Sequence, residues 1–331
     1  MRSSIPIGFF LDGENTEQLA TMDPDRDWIE FRRGERAWIL QTYLRLRDAG
    51  HPVTLVSSSL PKHGVLVFHS KQKRSLLRLG PPKGLTLVGV RGDRQPSWLA
   101  DFEIVQNRLS ADGRRRFFVP HWPQPGLVPR DPKRGERLER VSYKGFAGNL
   151  HPYFSRTEWL GFLAARQIDW QFDAVAFSEL DRAGSLDWPN YAEVDLVLAM
   201  RPDCGRREQT KPATKLYNAW QAGVPALLGP DIAFRELRKS PHDYLEILTP
   251  QDAMKCLQRL LDSPELYRQM VRQGQERGRE FSVAQTASRW IEFLTTDAQS
   301  RPTGGHSRTL AHRARMSLRR LHWLAKSATA R

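Results

Sequence analysis

The sequence predicts an α/β chain of two consecutive domains, each a parallel sheet covered by helices. Three observations predict it. At 331 residues the chain exceeds what one core comfortably fills, a limit of roughly 250–300 residues. Short apolar runs alternate with segments of helical periodicity, and the alternation starts afresh in the second half. Between the halves, "PQPGLVPRDPKRGER" carries four prolines and no apolar periodicity, as an interdomain linker does.

In chain order, "IGFFL" is a first apolar strand. "GERAWILQTYLRLRDAG" sets Ala37, Leu40 and Leu44 beside Ile39, Tyr43 and Leu46, a broad helical stripe that Gly50 ends. "PVTLVSS", "GVLVFHS", "GLTLVGV", "FEIVQN" and "RRFFVPHW" come next as short strands. After the linker, "LERVSY" reads as a strand and "KGFAGNL" as the glycine-containing turn behind it. A helix around "RTEWLGFLAARQ" leads to the strands "FDAVAF" and "AEVDLVLAM". "VPALLG" is another buried strand, "AFRELRK" is helical and "YLEIL" extended. "TPQDAMKCLQRLLD" opens with Thr249 as cap and Pro250 in the first turn. "SPELYRQMVRQGQERGRE" repeats that start at Ser263, and "SVAQTASRWIEFL" closes the series with Val283, Ala287, Trp290, Ile291 and Leu294 on one face. The expected divisions are residues 1–135 (linker about 123–137), 138–298, and a tail, 299–331.

Composition narrows the function classes. Hydrophobic residues form 40% of the chain and there are ten tryptophans, which excludes a disordered protein. No apolar run approaches the roughly 20 residues of a membrane-spanning helix. "MRSSIPIGFF" meets Asp12 too early for a secretory signal. Cys204 and Cys256 make neither a disulfide framework nor a metal cluster, so a reducing, cytoplasmic setting is expected. The formal charge is +14, and after Asp297 eight cations follow with no acid. Basicity is mostly a property of the tail.

The informative stretch is "KPATKLYNAWQAGVPALLGP", Lys211–Pro230. A helix over residues 211–221 sets Lys211, Lys215 and Asn218 at i, i+4 and i+7 on one stripe. Ala213, Leu216, Tyr217 and Trp220 take the packed side. Cations are disfavoured at a helix start, so an anion between the two lysines would explain them; an ordinary solvated face also presents lysines this way. Arg201 ends the strand "VDLVLAM", where open parallel sheets bind ligands. Arg206 and Arg207 follow, and Lys144 with Gly145 stands after the first strand of the same domain. Two phosphates of a nucleotide fit such a place.

These residues resemble the glycosyltransferases of the GT-B fold. "KPATKLYNAWQAGVPALLGP" followed by "AFRELR" is similar to their donor-side helix and strand, and "VSYKGFAGNL" to the opening of their C-terminal domain. The likeness spans about residues 141–294, and more loosely "FRRGERAWILQTYLRL". It implies two facing Rossmann-like domains, an acceptor domain first and a nucleotide-sugar domain second, tied together by the last helices. Many retaining members carry two glutamates eight positions apart beside this helix; here those positions are Thr210 and Asn218. Retaining chemistry is therefore unsupported, and Asn218 is left to bond a ribose hydroxyl.

Cleaving a sugar–diphosphate bond builds negative charge on the departing oxygen, and fixed cations there favour the transition state. Lys211 and Lys215 are the candidates, with Arg201 as a third. Asn149 is placed to fix the sugar or a phosphate, and Gly145 and Gly148 to allow close backbone approach. For an inverting transfer, Glu35, His69 and Asp12 stand near strand or helix ends, and Glu35 and His69 are the candidate bases; a histidine of ordinary pKa, near 6.5, suits that task.

"MDPDRD" has the alternate carboxylates of metal-dependent sugar transferases but lacks a buried strand before it, so no essential metal or other cofactor is expected. In residues 301–326, Leu310, Ala314, Leu318, Leu321 and Leu324 lie near one face, with Arg315, Arg319 and Lys326 away from it. Such a helix fits an anionic bilayer, the inner face of the membrane, or a solvated tail. Trp323 and His322 among arginines could also stack on nucleic acid, but no nucleic-acid module is visible and none is expected as a partner. The sequence thus points to a glycosyltransferase with a saccharide, lipid-linked or small-molecule acceptor. A nucleotide-sugar epimerase of the same fold and a basic nucleic-acid-binding protein are the alternatives.

Overall fold

The computed structural model describes residues 5–180, 186–202 and 210–299, and residue 318. The chain folds into two compact units. Unit 1 comprises residues 1–122, 209–212 and 283–331; unit 2 comprises 123–208 and 213–282. The boundary after Trp122 falls at the start of the proline-rich linker. The last helix departs from the expected division at 138–298. It belongs to unit 1, because Ala287, Trp290, Phe293 and Leu294 are buried in the unit 1 core.

Unit 1 holds a six-stranded sheet in the order β2-β1-β3-β4-β5-β6, every pairing parallel. The strands are β1 (Ile7–Phe10), β2 (Val53–Val56), β3 (His63–His69), β4 (Gly84–Val90), β5 (Phe102–Val105) and β6 (Arg116–Phe118). Among its helices are α1 (Thr16–Ala20), α2 (Gln41–Asp48) and α3 (Lys73–Arg78). A π-helical turn, Arg36–Leu40, runs straight into α2. The expected stripe is the buried one: Ile39, Leu40, Leu44 and Leu46 are fully covered. β3 and β4 are buried along almost their whole length, which is why they read as continuous apolar runs rather than alternating ones.

Unit 2 holds a five-stranded parallel sheet, β11-β10-β9-β7-β8. Its strands are β7 (Arg140–Phe146), β8 (Asp169–Val175), β9 (Leu196–Ala199), β10 (Ala226–Leu228) and β11 (Leu245–Glu246). Its helices are α4 (Thr157–Ala164), α5 (Thr214–Ala222), α6 (Ile232–Arg235), α7 (Pro250–Asp262) and α8 (Pro264–Arg279), and α9 (Val283–Thr295) returns to unit 1. Thr249 and Asp252 form a reciprocal capping box at the start of α7. Gly274 and Gly278 let α8 close on Trp220 of α5; a Cβ on Gly274 would lie 3.0 Å from the indole.

One ionic clasp fastens the linker to the unit 2 sheet. Asp195, fully buried just before β9, accepts from Arg130 Nε (3.0 Å) and Nη2 (2.8 Å) and from Arg134 Nε (2.8 Å) and Nη2 (2.8 Å). The Glu139 and Arg140 backbone N–H groups also donate to it, at 2.9 and 3.0 Å. Burial alone would raise its pKa, but Arg134, the Glu139 N–H and Arg130 hold it below the usual carboxylate range.

Among the described residues no helix is long and apolar enough to cross a membrane, and no group of three or more His, Cys, Asp and Glu side chains is placed to hold a metal.

Candidate functional site

In a parallel sheet the strand order reverses at one seam, and the crevice beyond the strand C-termini there is the usual ligand position. In unit 2 that seam lies between β7 and β9. β7 pairs with β8 over seven residues, but with β9 only through Val141↔Leu196 and Ser142↔Val197. Past Ser142 the seam opens, and the end of β7 faces the segment that leaves β9.

Five side chains and a glycine meet there. Arg201, two residues past β9, donates from Nη1 to Asn149 Oδ1 (3.3 Å) and from Nε to Asp231 Oδ2 (3.3 Å). Asp231 precedes α6 and is buried, and its Oδ1 has no hydrogen-bond partner among the described residues. Lys215, in the first turn of α5, reaches the end of β7. Its Nζ donates to the Lys144 carbonyl and lies 4.4 Å from the centroid of the Tyr143 ring. Gly145 has φ +142°, and a Cβ there would come within 2.8 Å of Lys215 Nζ. The Tyr143 hydroxyl donates to the Phe146 carbonyl at 2.6 Å, which fixes the ring under the amine.

The electrostatics derive from this geometry. Burial pushes the Lys215 amine down to about 7, and the Arg201 cation adds to the shift against the opposing pull of Asp231. Burial likewise pushes the Tyr143 hydroxyl up, leaving it neutral. Among the described residues the crevice therefore holds two basic groups and one carboxylate beside the Gly145 backbone, which carries no side chain.

The structure separates residues that the sequence reading grouped. Lys211 is not on the helix: α5 begins at Thr214. The Lys211 carbonyl would accept from the Lys215 N–H in a longer helix, but it accepts from Asn107 Nδ2 at 2.7 Å instead. Lys211 Nζ forms an ion pair with Asp93 at 2.8 Å, within unit 1. Lys144 and Gly145 lie on β7 rather than in a turn, so their side positions face opposite ways. Lys144 Nζ turns to Asp173 (3.3 Å), the Asp187 carbonyl (2.7 Å) and the Tyr191 ring (5.4 Å). Asn218 is also engaged: its Oδ1 accepts from the Gln124 N–H at 3.0 Å. Gly148 belongs to the 3₁₀ turn Ala147–Asn149. Arg206, Arg207, Cys204 and nearly all of the tail fall outside the described residues.

The two candidate bases stand in unit 1. His69 ends β3, buried, with Nδ1 accepting from the Lys71 N–H at 3.4 Å. A Cβ on Gly34 or Gly92 would lie 3.5 or 3.4 Å from its Nε2. Its pKa is not the ordinary value assumed from sequence. Burial pushes it down to about 4 despite Glu35, with Arg94 and Lys71 opposing the charged form. Glu35 forms an ion pair with Lys71. Burial opposes its ionisation, but Lys71, the backbone and His69 bring its pKa below the usual value.

Asp231 and Tyr143 were missed at the sequence level. The signal for Asp231 was present, a lone acid directly after "PALLGP" and before a helical run. Tyr143 could have been found from period-two alternation, which puts it on the Gly145 face.

Several solved structures share this architecture. Anabaena Alr3699/HepE in complex with UDP and glucose matches with a TM-score of 0.53 at 14% identity, over 88% of this chain and 100% of that one. The same protein in complex with UDP-glucose gives 0.52 at 12% over the same shares. Sucrose-phosphate synthase from Thermosynechococcus elongatus gives 0.53 at 10%, over 90% of this chain and 100% of that one. No family model matches the sequence, and no curated protein matches it. With two parallel α/β sheets in one chain and these structural likenesses across most of its length, the protein has the GT-B fold of glycosyltransferases.

Proposed function

We propose that this protein is a glycosyltransferase that takes a sugar from a nucleotide-sugar donor held at the β7/β9 edge of unit 2. One observation carries the reading: Lys215 stands over the Gly145 backbone at the switch point of a parallel sheet, with Arg201, held by Asn149 and Asp231, near enough to act on its charge. A diphosphate suits such a pair of basic groups, and the missing Cβ of Gly145 lets the backbone approach it.

In the reaction the bond from the anomeric carbon to the phosphate oxygen breaks, and its electron pair leaves on that oxygen. The bond to the acceptor oxygen forms, and the acceptor proton goes to a base or to water. Arg201 and Lys215 are proposed to stabilise the departing diphosphate, with Asn149 and Asp231 holding the guanidinium in place. Removing one such donor typically costs about ten- to a thousand-fold in rate. Lys211 is paired with Asp93 within unit 1 and takes no part in this proposal. Since the chain supplies these cations, no divalent metal is invoked, and chelation is expected to leave turnover unchanged.

The HepE structures contain UDP, glucose and UDP-glucose, which makes UDP the first nucleotide to test. The proposed acceptor is a saccharide, free or lipid-linked, or a small molecule. For a lipid-linked acceptor the basic stretch 301–326 is proposed to touch an anionic membrane face from the cytoplasm. A thermal-shift panel of UDP, GDP, CDP and dTDP at low salt, repeated on Arg201→Ala and Lys215→Ala, tests the donor site. Stabilisation of the parent by one nucleotide, lost in both variants, is expected. No stabilisation by any of the four overturns the reading.

A further inference from the structure

Among the described residues, no carboxylate is paired with the Lys215 amine. Within unit 2 the amine is held by the Tyr143 ring and the Lys144 carbonyl, neither of which carries charge. Among the described residues, the charged groups acting on it are Arg201, a second cation, and Asp231. Asp231 is already engaged through Oδ2 with Arg201, and its buried Oδ1 meets no donor among those residues. The Lys215 ammonium thus has no carboxylate of its own there. In the ligand-free protein the cheaper solution is to leave the amine uncharged, consistent with its pKa being brought to about 7.

A diphosphate changes that balance. It brings two or more negative charges to a site where burial strengthens every interaction, and a second cation becomes favourable. We propose that a diphosphate docks at this edge together with a proton, which Lys215 takes up from solvent as the anion binds. Arg201 is always charged and provides the first attraction; Lys215 adds its charge only when the anion is present. The loss of the diphosphate then returns the proton, so the site does not hold its product by two permanent cations. This deepens the donor-site reading and rests on it only for which diphosphate is used.

The pH dependence has a definite sign. Binding raises the Lys215 pKa, so affinity is greatest where the free amine is already protonated and falls as pH rises above about 7. Between about pH 6 and pH 8 the decline attributable to this group is about tenfold.

Isothermal titration of the full chain at about pH 8, in buffers of different ionisation enthalpy, counts the protons taken up. Inorganic pyrophosphate and UDP are the two probes, and Lys215→Arg, which keeps a charge that cannot be lost, cancels each probe's own protonation. The parent is expected to take up close to one proton more per site than Lys215→Arg. Equal uptake by the two proteins, with binding intact, overturns the proposal and leaves the donor site standing. Lys215-dependent uptake with pyrophosphate, but no preference for any nucleoside diphosphate, upholds the proposal and overturns the donor reading. Absence of binding by both probes overturns the proposal, and the donor reading falls with it when GDP, CDP and dTDP also fail to bind. Should Lys215→Arg fail to fold, carbon-13 NMR of the parent's lysine side chains decides the matter. One lysine should titrate near neutrality and shift upward on addition of pyrophosphate; no lysine titrating below about pH 9 overturns the proposal.

Discussion

Lys215 Nζ lies 4.4 Å from the centre of the Tyr143 ring and donates to the carbonyl of the next residue along β7, Lys144. An amine kept there costs folding energy. Its folded pKa, about 7, is below the value near 10.5 expected in the unfolded chain, so at neutral pH the unfolded chain binds more protons. Stability should therefore rise with pH from about 7 toward 10.5. Lys215→Met should abolish this slope and raise the melting temperature, by roughly 2–4 °C for each kcal/mol relieved. The same variant should lose diphosphate affinity. Paired calorimetric melting and binding curves check both, and a lower melting temperature would count against the placement of the amine.

Gly145→Ala should act on the ligand site more than on the fold. The added methyl would lie 2.8 Å from Lys215 Nζ, at a backbone φ of +142° that disfavours any side chain. The amine must move, at a cost of about 1–3 kcal/mol for the strained backbone. Weakened UDP binding at least tenfold, by titration, is the expected result, with the circular-dichroism spectrum unchanged.

Asp195→Ala should be among the most damaging substitutions in unit 2. It leaves Arg130 and Arg134 facing an empty buried site, and removing one partner of such an arrangement costs about 3–5 kcal/mol. In the parent, the folded carboxyl titrates below its unfolded value near 3.8. Its contribution is present above that value and disappears as pH falls through and below it. Urea unfolding at a series of acid pH values, compared with the variant, measures this directly.

His69 should be silent near neutrality. With the folded pKa pushed to about 4 and an unfolded value near 6.5, it titrates only in acid. Its neutral form supports folding above about pH 6.5, and that support is lost as pH falls toward 4. Two-dimensional NMR of the ring should show no midpoint between pH 6 and 8. A midpoint near 6.5 would restore it as an ordinary general base.

The alternation of strands and helices was legible because buried parallel strands are short apolar runs, as "VLVF" in β3 and "VLA" in β9 show. Strand order was not, since no local pattern marks which strand lies beside β7. Distant partners decided the site details. The helix carrying Lys215 starts three residues later than its periodicity allows because Asn107, 104 positions earlier, holds the Lys211 carbonyl. Lys144 points away from the crevice because β7 continues to Phe146 before turning. Arg201 could be found from sequence because it directly follows an apolar strand. Asp231 required knowing that two strand ends meet.

Unit 1 is completed by residues made long after its sheet. Trp290 and Phe293 of α9 meet Phe9 and Phe102, with ring centroids 6.5 and 6.2 Å apart. A ribosome that has released only the first 122 residues has supplied every strand of that sheet but not the aromatic cover on one side. A fragment cut at the proline-rich linker would display those phenylalanines to water and self-associate, while co-expression with residues 123–331 should restore solubility.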